Sequence, residues 1–160
     1  MTRIGLISDT HGLLRPEAKA FLSGCDVIIH AGDIGNPEIL AELQAIAPVT
    51  AVRGNNDVGA WAEALNDTEL MRLGDCQIYV LHDLAQLRVD ASAAGIRAVV
   101  AGHSHKPWVE QRGSVLFVNP GSAGPRRFAL PISAGEILVR EGKLSARTVE
   151  LTPRRGPPRA

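Results

Sequence analysis

Five short polar motifs hold the side chains of this 160-residue sequence that could do chemistry. Each motif follows a run of apolar residues, and together they supply aspartate, asparagine and histidine. The motifs are Asp9-Thr10-His11, Gly32-Asp33, Gly54-Asn55-Asn56-Asp57, Leu81-His82-Asp83 and Gly102-His103-Ser104-His105. Carboxylate, amide and imidazole groups bind borderline divalent metals such as manganese, iron, zinc and nickel. The ordered set therefore predicts a metal centre.

Spacing within the motifs supports the same chemistry. Asp9 and His11 are two residues apart, as are His103 and His105, and in extended backbone this spacing points both side chains the same way. A glycine precedes three of the motif ligands, where it permits a tight turn and close backbone approach. Four of the five histidines of the chain lie within the motifs.

Each motif alone is weak evidence, because Asp-x-His and Gly-Asp also occur as ordinary polar turns. His82 alone could be a hydrogen-bonded histidine near the core, and His103 with His105 could form a structural zinc site. A typical structural zinc site needs more cysteines than the two present. Those two, Cys25 and Cys76, are expected to be small buried apolar residues. The combination of motifs, rather than any one of them, favours metal binding.

The segments between the motifs indicate how the chain positions them. In the first half, apolar runs at residues 3–8, 26–31 and 48–52 alternate with amphipathic stretches at 16–22 and 37–46. This alternation predicts a parallel sheet with crossover helices. Because sites in such sheets lie at the carboxyl ends of the strands, motifs that follow strands would gather along one rim.

The second half of the chain is richer in predicted strands. The predicted elements are a hairpin of residues 69–73 and 77–81 around Gly74-Asp75, a helix over 84–94, a strand over 98–101, two strands within 108–118 around Arg112-Gly113, and a hairpin over 135–151 turning at Glu141-Gly142-Lys143. Two packed sheets with outer helices would accommodate both halves.

Length and composition are typical of one globular domain, which we place at residues 1–151. Hydrophobic residues make up 45% and charged residues 21% of the sequence. A chain of this length buries roughly 70% of its unfolded surface. Residues 152–160 hold three prolines and three arginines without an apolar anchor, and we expect this tail to be disordered.

Charge and hydropathy limit the kinds of partner. The formal net charge is zero, which argues against a stable nucleic-acid partner because phosphate backbones are bound by excess lysine and arginine. The apolar stretch at residues 4–7 is too short for a signal peptide, and no run approaches the ~20 apolar residues of a membrane span. We therefore expect a cytoplasmic protein without a membrane partner, and leave a homo-oligomer open.

The order of the motifs resembles the calcineurin-like metallophosphoesterase superfamily, and within it the small YfcE-like phosphodiesterase branch. The similarity runs from Ile4 to about Leu151, and the segments Asn119-Pro120-Gly121-Ser122 and Pro125-Arg126 are also similar to that branch. The resemblance implies an α/β fold, a four-layer α/β sandwich with two facing mixed sheets flanked by helices.

The resemblance also implies two divalent metal ions, with manganese first and iron, zinc or nickel as alternatives. One ion would be held by Asp9, His11 and His105, and the other by Asn55, His82 and His103. Asp33 would bridge the two ions, and Asp57 would fix a neighbouring ligand or water. The implied catalytic residues are Asp33, Asn55, Asp57 and His82.

The implied activity is that of a phosphodiesterase acting on a small-molecule phosphate ester. The ions would lower the pKa of a shared water toward ~7, and the metal-bridging hydroxide would attack phosphorus in line with the leaving oxygen. Two alternatives stay open. One is a phosphomonoesterase on the same metals, and the other is a protein-binding module on the same fold, as in the retromer subunit Vps29.

Two positions depart from the family pattern. Asn56 stands where many superfamily members have histidine and the small branch often has cysteine. Because an amide cannot donate a proton as a general acid, protonation of the leaving group by this residue is in doubt. Asp83 follows His82 where glycine is common, and it could tighten the loop or add negative charge.

A few further residues could have a functional role, but an ordinary structural or surface role is expected for them. His30 lies within a predicted strand and is expected to be structural, with a hydrogen bond to the site as the alternative. Trp61 and Trp108 are expected to pack rather than to serve as substrate platforms. Arg126 and Arg127 could face an anionic substrate, although exposed arginines usually face water.

Overall fold

The alternating apolar segments form two mixed five-stranded sheets in the computed structural model, which describes residues 1–151. The Pro/Arg-rich tail at 152–160, predicted to be disordered, lies outside the described residues. Within the described part of the chain, no helix is both long and apolar enough to cross a membrane.

Ten strands and three α-helices form the framework of residues 1–151. In chain order the strands are β1 (Thr2–Ile7), β2 (Val27–His30), β3 (Val49–Ala51), β4 (Thr68–Leu73), β5 (Cys76–Leu81), β6 (Ala98–Val100), β7 (Trp108–Arg112), β8 (Val115–Asn119), β9 (Ser133–Arg140) and β10 (Lys143–Glu150). The helices are α1 (Pro16–Leu22), α2 (Pro37–Gln44) and α3 (Ala60–Glu63). Proline begins both α1 and α2, at a position where its missing N–H costs no helical hydrogen bond.

In the first sheet four strands run in one direction and one runs in the opposite direction, whereas the second sheet has three strands in one direction and two in the other. The first sheet has the order β10-β9-β1-β2-β3 and the second has the order β4-β5-β6-β8-β7. Strands β1, β2 and β3 are parallel to one another, and so are β5, β6 and β8. In the first sheet β9 is antiparallel to both of its neighbours, β1 and β10, so β10 runs in the direction of β1. In the second sheet β4 and β7 are antiparallel to their neighbours β5 and β8. This topology confirms the predicted α/β fold with two mixed sheets.

Apolar side chains between the two sheets form the main core. Ile4 and Leu6 of the first sheet belong to the same buried cluster as Ile78 and Val118 of the second, and all four are at most 1% exposed. Burial of side chains of this size stabilises the fold by roughly 1.5–3 kcal/mol each. Ile7 packs instead with the helices on the outer face, as the two-residue period of a strand requires.

The outer faces of the sheets are covered differently. Leu22 of α1 and Ile39 and Leu43 of α2 pack on the first sheet. The second sheet is covered by the segment that follows β5, through apolar side chains such as Leu84 and Leu87. Cys25 and Cys76 are free and buried, which confirms the prediction made for them.

The prediction of a helix over residues 84–94 is wrong. Only Leu84–Gln86 forms a turn of 3-10 helix, and the chain leaves this turn in extended conformation. The side chain of Asp83 accepts the backbone N–H two residues further on, and that of Asp90 accepts the N–H three residues further on. Each aspartate therefore closes a local turn in place of a continuous helix. The other predicted elements are present with ends shifted by one or two residues, and α3 was not predicted.

Candidate metal centre

The polar motifs meet at the edge where the parallel strands of both sheets end. Asp9 and Asp33 follow β1 and β2, whereas His82 and His105 follow β5 and β6. Two groups of side chains have ligand atoms within 4.8 Å of one another, and they are Asp9-His11-His105 and Asp9-Asp33-His82. The fold thus brings five of the seven predicted ligands together, and it places Asp9 in both groups.

Backbone strain is concentrated at the same residues. Seven non-glycine residues of the described chain have a positive φ, and five of them are predicted ligands. These five are Asp9 (55°), His11 (46°), Asp33 (56°), His103 (71°) and His105 (62°). The left-handed region costs an L-residue on the order of 1–3 kcal/mol, and such strain is commonly retained where it serves a functional geometry.

Asp9 lies at the centre of the site and is fully buried. Its Oδ2 accepts hydrogen bonds from the Ser8 hydroxyl at 2.7 Å and from the His103 N–H at 3.1 Å. Its Oδ1 has no hydrogen-bond partner among the described residues and lies 3.4 Å from His105 Nε2 and 3.8 Å from His11 Nε2. Because a buried carboxylate oxygen without a donor is costly, this atom is suited to binding a cation.

His82 presents a second unpaired atom. Its Nδ1 lies 2.7 Å from the carbonyl oxygen of Ala31, so Nδ1 carries the proton and donates it. The lone pair of Nε2 then points toward Asp33 Oδ2 at 3.3 Å and Asp9 Oδ1 at 3.9 Å, and Nε2 has no hydrogen-bond partner in residues 1–151. Acceptor atoms that face one another in this way need a cation or a proton between them. An imidazole nitrogen with carboxylate oxygens is a suitable donor set for a divalent metal.

The pKa values of the site reflect this crowding. Burial works against the charged form of Asp33, but the adjacent His82 and the N–H donors of Asn56 hold the pKa of Asp33 well below its ordinary value. Burial also opposes protonation of His82, yet Asp33 and Asp9 together raise the pKa of His82. A proton and a metal ion therefore compete for the same position, so metal affinity should fall as the pH falls.

Asn56 holds Asp33 with two hydrogen bonds. The backbone N–H of Asn56 donates to Oδ1 of Asp33 and its side-chain Nδ2 donates to Oδ2, both at 2.9 Å. The same Oδ2 lies between two imidazoles, 3.3 Å from His82 Nε2 and 3.7 Å from His11 Nε2. The hydrogen bonds from Asn56 thus fix the carboxylate so that one oxygen faces both groups of ligands.

Asp57 is buried and connects two of the ligand loops. Its Oδ2 accepts the N–H of Gly54 at 2.8 Å, and its Oδ1 accepts the N–H of Gly35 at 3.0 Å. These loops carry Asn55 and Asp33. Asp57 therefore lies behind the ligands and sets the distance between the loop after β3 and the loop after β2.

Asn55 and His103 lie on the exposed side of the centre, outside the two buried groups. Both line an open cleft of about 640 Å³, together with His82 and Asp83. The ring of His103 lies 5.1 Å from the ring of His82, and its Nε2 lies 3.9 Å from Asp83 Oδ2. Asp83 also caps the turn that follows it, so it both tightens the loop and adds negative charge beside the site.

Residues outside the predicted set hold the strained loops. Ser122 Oγ donates to the carbonyl oxygen of Asp9 at 3.0 Å, and Asn119 Nδ2 donates to the carbonyl oxygen of Gly102 at 3.0 Å. Asn119 and Ser122 belong to the segment Asn119-Pro120-Gly121-Ser122, whose resemblance to the family could have indicated a role for them. Ser8 carried only a weak signal, as a polar residue at the end of a buried strand.

Two glycines of the motifs are required by space rather than by φ. A Cβ at Gly54 would overlap Asp33 Oδ1, and a Cβ at Gly102 would overlap Ser8 Oγ. The close backbone approach predicted for these glycines is therefore confirmed. Any larger residue would displace a carboxylate of the site or its hydrogen-bond donor.

His30 is fully buried and connects the loops that carry Asp9 and Asp33. Its Nδ1 accepts the N–H of Gly32 at 3.1 Å, so Nε2 carries the ring proton. That N–H donates to Thr10 Oγ1 at 3.0 Å, and the Thr10 hydroxyl donates to the carbonyl oxygen of Ile34 at 2.8 Å. A neutral histidine thus joins both loops, which confirms the structural role expected for it.

Burial of His30 is expected to make the free energy of unfolding depend on pH. Burial lowers its pKa from 6.5 to about 4, so between these values the unfolded state binds more protons than the folded state. Stability should therefore fall as the pH drops from about 6.5 to about 4, by about 3 kcal/mol from this residue. The measurement is urea unfolding of the metal-free protein across this range, with His30→Gln as the non-titrating control. Equal pH slopes in both proteins would contradict the assignment.

The remaining candidates have ordinary surroundings. Trp61 and Trp108 pack against the apolar clusters on the outer faces of the two sheets, as expected. Trp108 also lines a cleft. Arg126 and Arg127 are exposed, and no hydrogen bond or ion pair joins them to the ligands within the described residues.

Comparison with known proteins extends this description. The Calcineurin-like phosphoesterase superfamily domain matches residues 2–141. A probable metallophosphoesterase of Methanocaldococcus jannaschii is 34% identical over 161 residues, an alignment that covers 92% of this chain and 81% of the relative.

Solved structures share the fold at low sequence identity. A novel archaeal phosphodiesterase has a TM-score of 0.76 and 22% identity over 92% of this chain and all of its own. The E. coli phosphoesterase YfcE has a TM-score of 0.66 and 21% identity over 94% of this chain and 100% of its own. Vps29 of Chaetomium thermophilum has a TM-score of 0.75 and 20% identity over 96% of this chain and 100% of its own. Given the family match over most of its length, this chain belongs to the calcineurin-like phosphoesterase superfamily.

Proposed function

We propose that this protein is a dinuclear metal-dependent phosphodiesterase that hydrolyses a small-molecule phosphate ester. The observation that carries the proposal is a pair of buried acceptor atoms without partners, Asp9 Oδ1 and His82 Nε2, which face each other and Asp33 Oδ2. Such a cluster is stabilised by cations. A relative named a probable metallophosphoesterase and a structural neighbour named a phosphodiesterase support the same chemistry.

The ligand assignment is the one that the family resemblance implies, and the two buried groups contain five of its seven residues. We assign Asp9, His11 and His105 to one ion, and Asn55, His82 and His103 to the other. Asp33 would bridge them, because its Oδ2 lies 3.7 Å from His11 Nε2 and 3.3 Å from His82 Nε2. Manganese suits the mixture of nitrogen and oxygen donors, as do iron, zinc and nickel. Asp9 Oδ1 lies 3.4 Å from His105 Nε2 and 3.8 Å from His11 Nε2, which supports its assignment to the first ion.

Two divalent ions, when bound, supply a hydroxide nucleophile at neutral pH and offset the negative charge of the phosphate. The protein contributes fixed orientation. Asn56 orients the Asp33 carboxylate, and the Ala31 carbonyl selects the His82 tautomer that leaves Nε2 free. Asn55 is exposed in the cleft, where its NH₂ can donate to a non-bridging phosphate oxygen.

The open cleft at Asn55 favours a diester over a monoester. Asp83 Oδ2 lies 3.9 Å from His103 Nε2 and lines this cleft, which adds a negative charge near the substrate. A monoester dianion is repelled by that carboxylate more strongly than a diester monoanion is. The volume of the cleft, about 640 Å³, is within the range of small-molecule sites.

Hydrolysis of a matched pair of esters tests the proposal. We expect the manganese-loaded protein to hydrolyse bis(4-nitrophenyl) phosphate faster than 4-nitrophenyl phosphate, and the rate to disappear with a chelator and return with manganese. The Asp83→Asn variant is the matched control. Because it removes the negative charge that repels the monoester, it should reduce the rate preference for the diester without abolishing turnover. A faster monoester would make the protein a phosphomonoesterase. No turnover of either ester by metal-loaded protein would favour a binding module, as in Vps29.

A further inference from the structure

A second cleft adjoins the metal centre. It has a volume of about 390 Å³, which is within the range of small-molecule sites. We call it the Trp108 cleft, and its walls include Val99, Lys106, Trp108, Arg112 and Phe117. His103 and Asp83 line both this cleft and the cleft at Asn55. The two clefts therefore meet at His103, beside the proposed phosphate position.

Aromatic side chains form the inner wall of the Trp108 cleft. Phe117 is buried and Trp108 is half-buried, and their ring centroids lie 6.4 Å apart at an angle of 49°. Val99 extends the same apolar surface. A wall of this kind takes up flat or apolar groups, because their burial removes apolar area from water and adds ring contacts.

Arg112 covers this pair of rings with an oriented guanidinium. Its Cζ lies 4.7 Å from the centroid of Phe117 and 5.3 Å from that of Trp108. Glu110 accepts a hydrogen bond from Arg112 Nε and lies 2.9 Å from Nη2, which fixes the plane of the group. The Arg112 side chain is 53% exposed, so part of it is open to a ligand. A guanidinium held in this way stacks on aromatic rings and nucleobases.

Lys106 adds positive charge to the same cleft. Its side chain is exposed and forms no ion pair with the described residues, whereas Arg112 is neutralised by Glu110. An ammonium group attracts the electron-rich face of an aromatic ring or a further anionic oxygen. Charge and shape therefore both favour an aromatic group that is attached to an anion.

We propose that the Trp108 cleft binds a flat aromatic ring carried by the phosphate ester, as in aryl esters and nucleotides. The inference rests on the proposed function, since the ring reaches the cleft only when its phosphate lies at the metal centre. It makes Trp108 a specificity-determining residue as well as a packing residue. The chemistry of the cleft defines the substrate class, and the length between ring and phosphorus separates aryl esters from nucleotides.

Binding of non-hydrolysable phosphonates to the manganese-loaded protein tests the inference by calorimetry. The three probes are methylphosphonate, phenylphosphonate and the phosphonate analogue of adenosine 5′-monophosphate. Both aromatic probes, or the one whose length fits, should bind about 10-fold more tightly than methylphosphonate. Tighter binding of phenylphosphonate would indicate an aryl ester, and tighter binding of the nucleoside probe a nucleotide. Equal affinity for all three probes would overturn the inference while leaving the proposed function intact.

Variants locate the preference in the cleft. Trp108→Leu should remove most of the preference for aromatic probes, and Trp108→Phe should retain it. Trp61→Leu is the matched control, because Trp61 packs in the apolar cluster of the first sheet and does not line the Trp108 cleft. Methylphosphonate affinity should be unchanged in all of them, which reports an intact metal centre. Arg112→Ala provides a second test if Trp108→Leu fails to fold, and it should reduce the preference several-fold. Failure of every probe to bind the wild-type protein would overturn the proposed function and the inference with it.

Discussion

Replacement of Asp33 by asparagine is expected to lower turnover about 10³-fold, more than any single change of a terminal ligand. The reason is the position of Oδ2, which lies 3.3 Å from His82 Nε2 and 3.7 Å from His11 Nε2 and so faces both proposed ions. Asparagine has one acceptor oxygen, and the backbone N–H of Asn56 would engage it. The amide NH₂ would then face the ions with donors instead of a lone pair.

The Asp33→Asn substitution should weaken metal binding without disturbing the fold. Asparagine has nearly the volume of aspartate, and the Asn56 side chain can rotate to present its oxygen to the new NH₂. His11→Asn is the matched control, because His11 is assigned to one ion whereas Asp33 is assigned to both. Turnover and manganese content, measured on both variants beside the wild type, should fall together and further in Asp33→Asn. Near-normal turnover of Asp33→Asn would show that this residue is not the bridge.

Asn56 is expected to make the rate depend steeply on the leaving group. A departing alkoxide carries most of a negative charge unless it is protonated, and a positioned general acid contributes about 10²–10⁴-fold. The Asn56 amide cannot donate such a proton, and its Nδ2 is already engaged by Asp33 Oδ2 at 2.9 Å. Diesters with acidic aryl leaving groups should therefore react well, whereas alkyl diesters should react slowly.

The Asn56→His variant tests this argument. Histidine at this position should flatten the dependence on leaving-group pKa and speed alkyl diesters by about 10²-fold, with little gain for aryl diesters. Asn56→Ala is the control, since it removes the hydrogen bond to Asp33 without adding an acid. The measurement is the rate of a series of aryl and alkyl diesters on all three proteins. A shallow slope in the wild type that is unchanged in Asn56→His would refute the missing-acid argument and leave the metal site unaffected.

The convergence of the ligands could be predicted from the sequence because it depends on local rules. Apolar runs predict strands, parallel strands end at a common edge, and polar residues that follow them must meet there. Asp9, Asp33, His82 and His105 follow strands in this way. The close backbone approach at Gly54 and Gly102 could also be predicted, because each glycine directly precedes a ligand. In the structure neither position has room for a Cβ.

The helix predicted over residues 84–94 failed because two local interactions compete with it. Apolar residues such as Leu84, Leu87 and Ala91 recur at helical spacing, and they do cover the second sheet. Asp83 and Asp90, however, each cap a separate turn, and the segment follows these caps. Periodicity shows which side chains are buried, whereas the backbone path depends on which polar side chain takes each N–H.

Features that join distant parts of the chain could not be predicted. The position of Asp9 in both ligand groups depends on two hydrogen bonds that it accepts from loops far along the sequence. The His103 N–H donates to its carboxylate, and the Ser122 hydroxyl donates to its carbonyl oxygen. The two hydrogen bonds from Asn56 to Asp33 likewise require the folded arrangement of neighbouring loops. No residue type or spacing encodes such pairings, so they emerge only once the sheets are packed.

The number of metal ions bound per chain tests the central claim most directly. Purified protein, stripped with a chelator and reloaded with manganese, should contain close to two equivalents by elemental analysis after removal of free metal. The two groups around Asp9, the strained ligand loops and the position of Asp33 are the observations from which a pair of ions is inferred. Two equivalents would agree with the dinuclear centre, and fewer than one equivalent after reloading would contradict it.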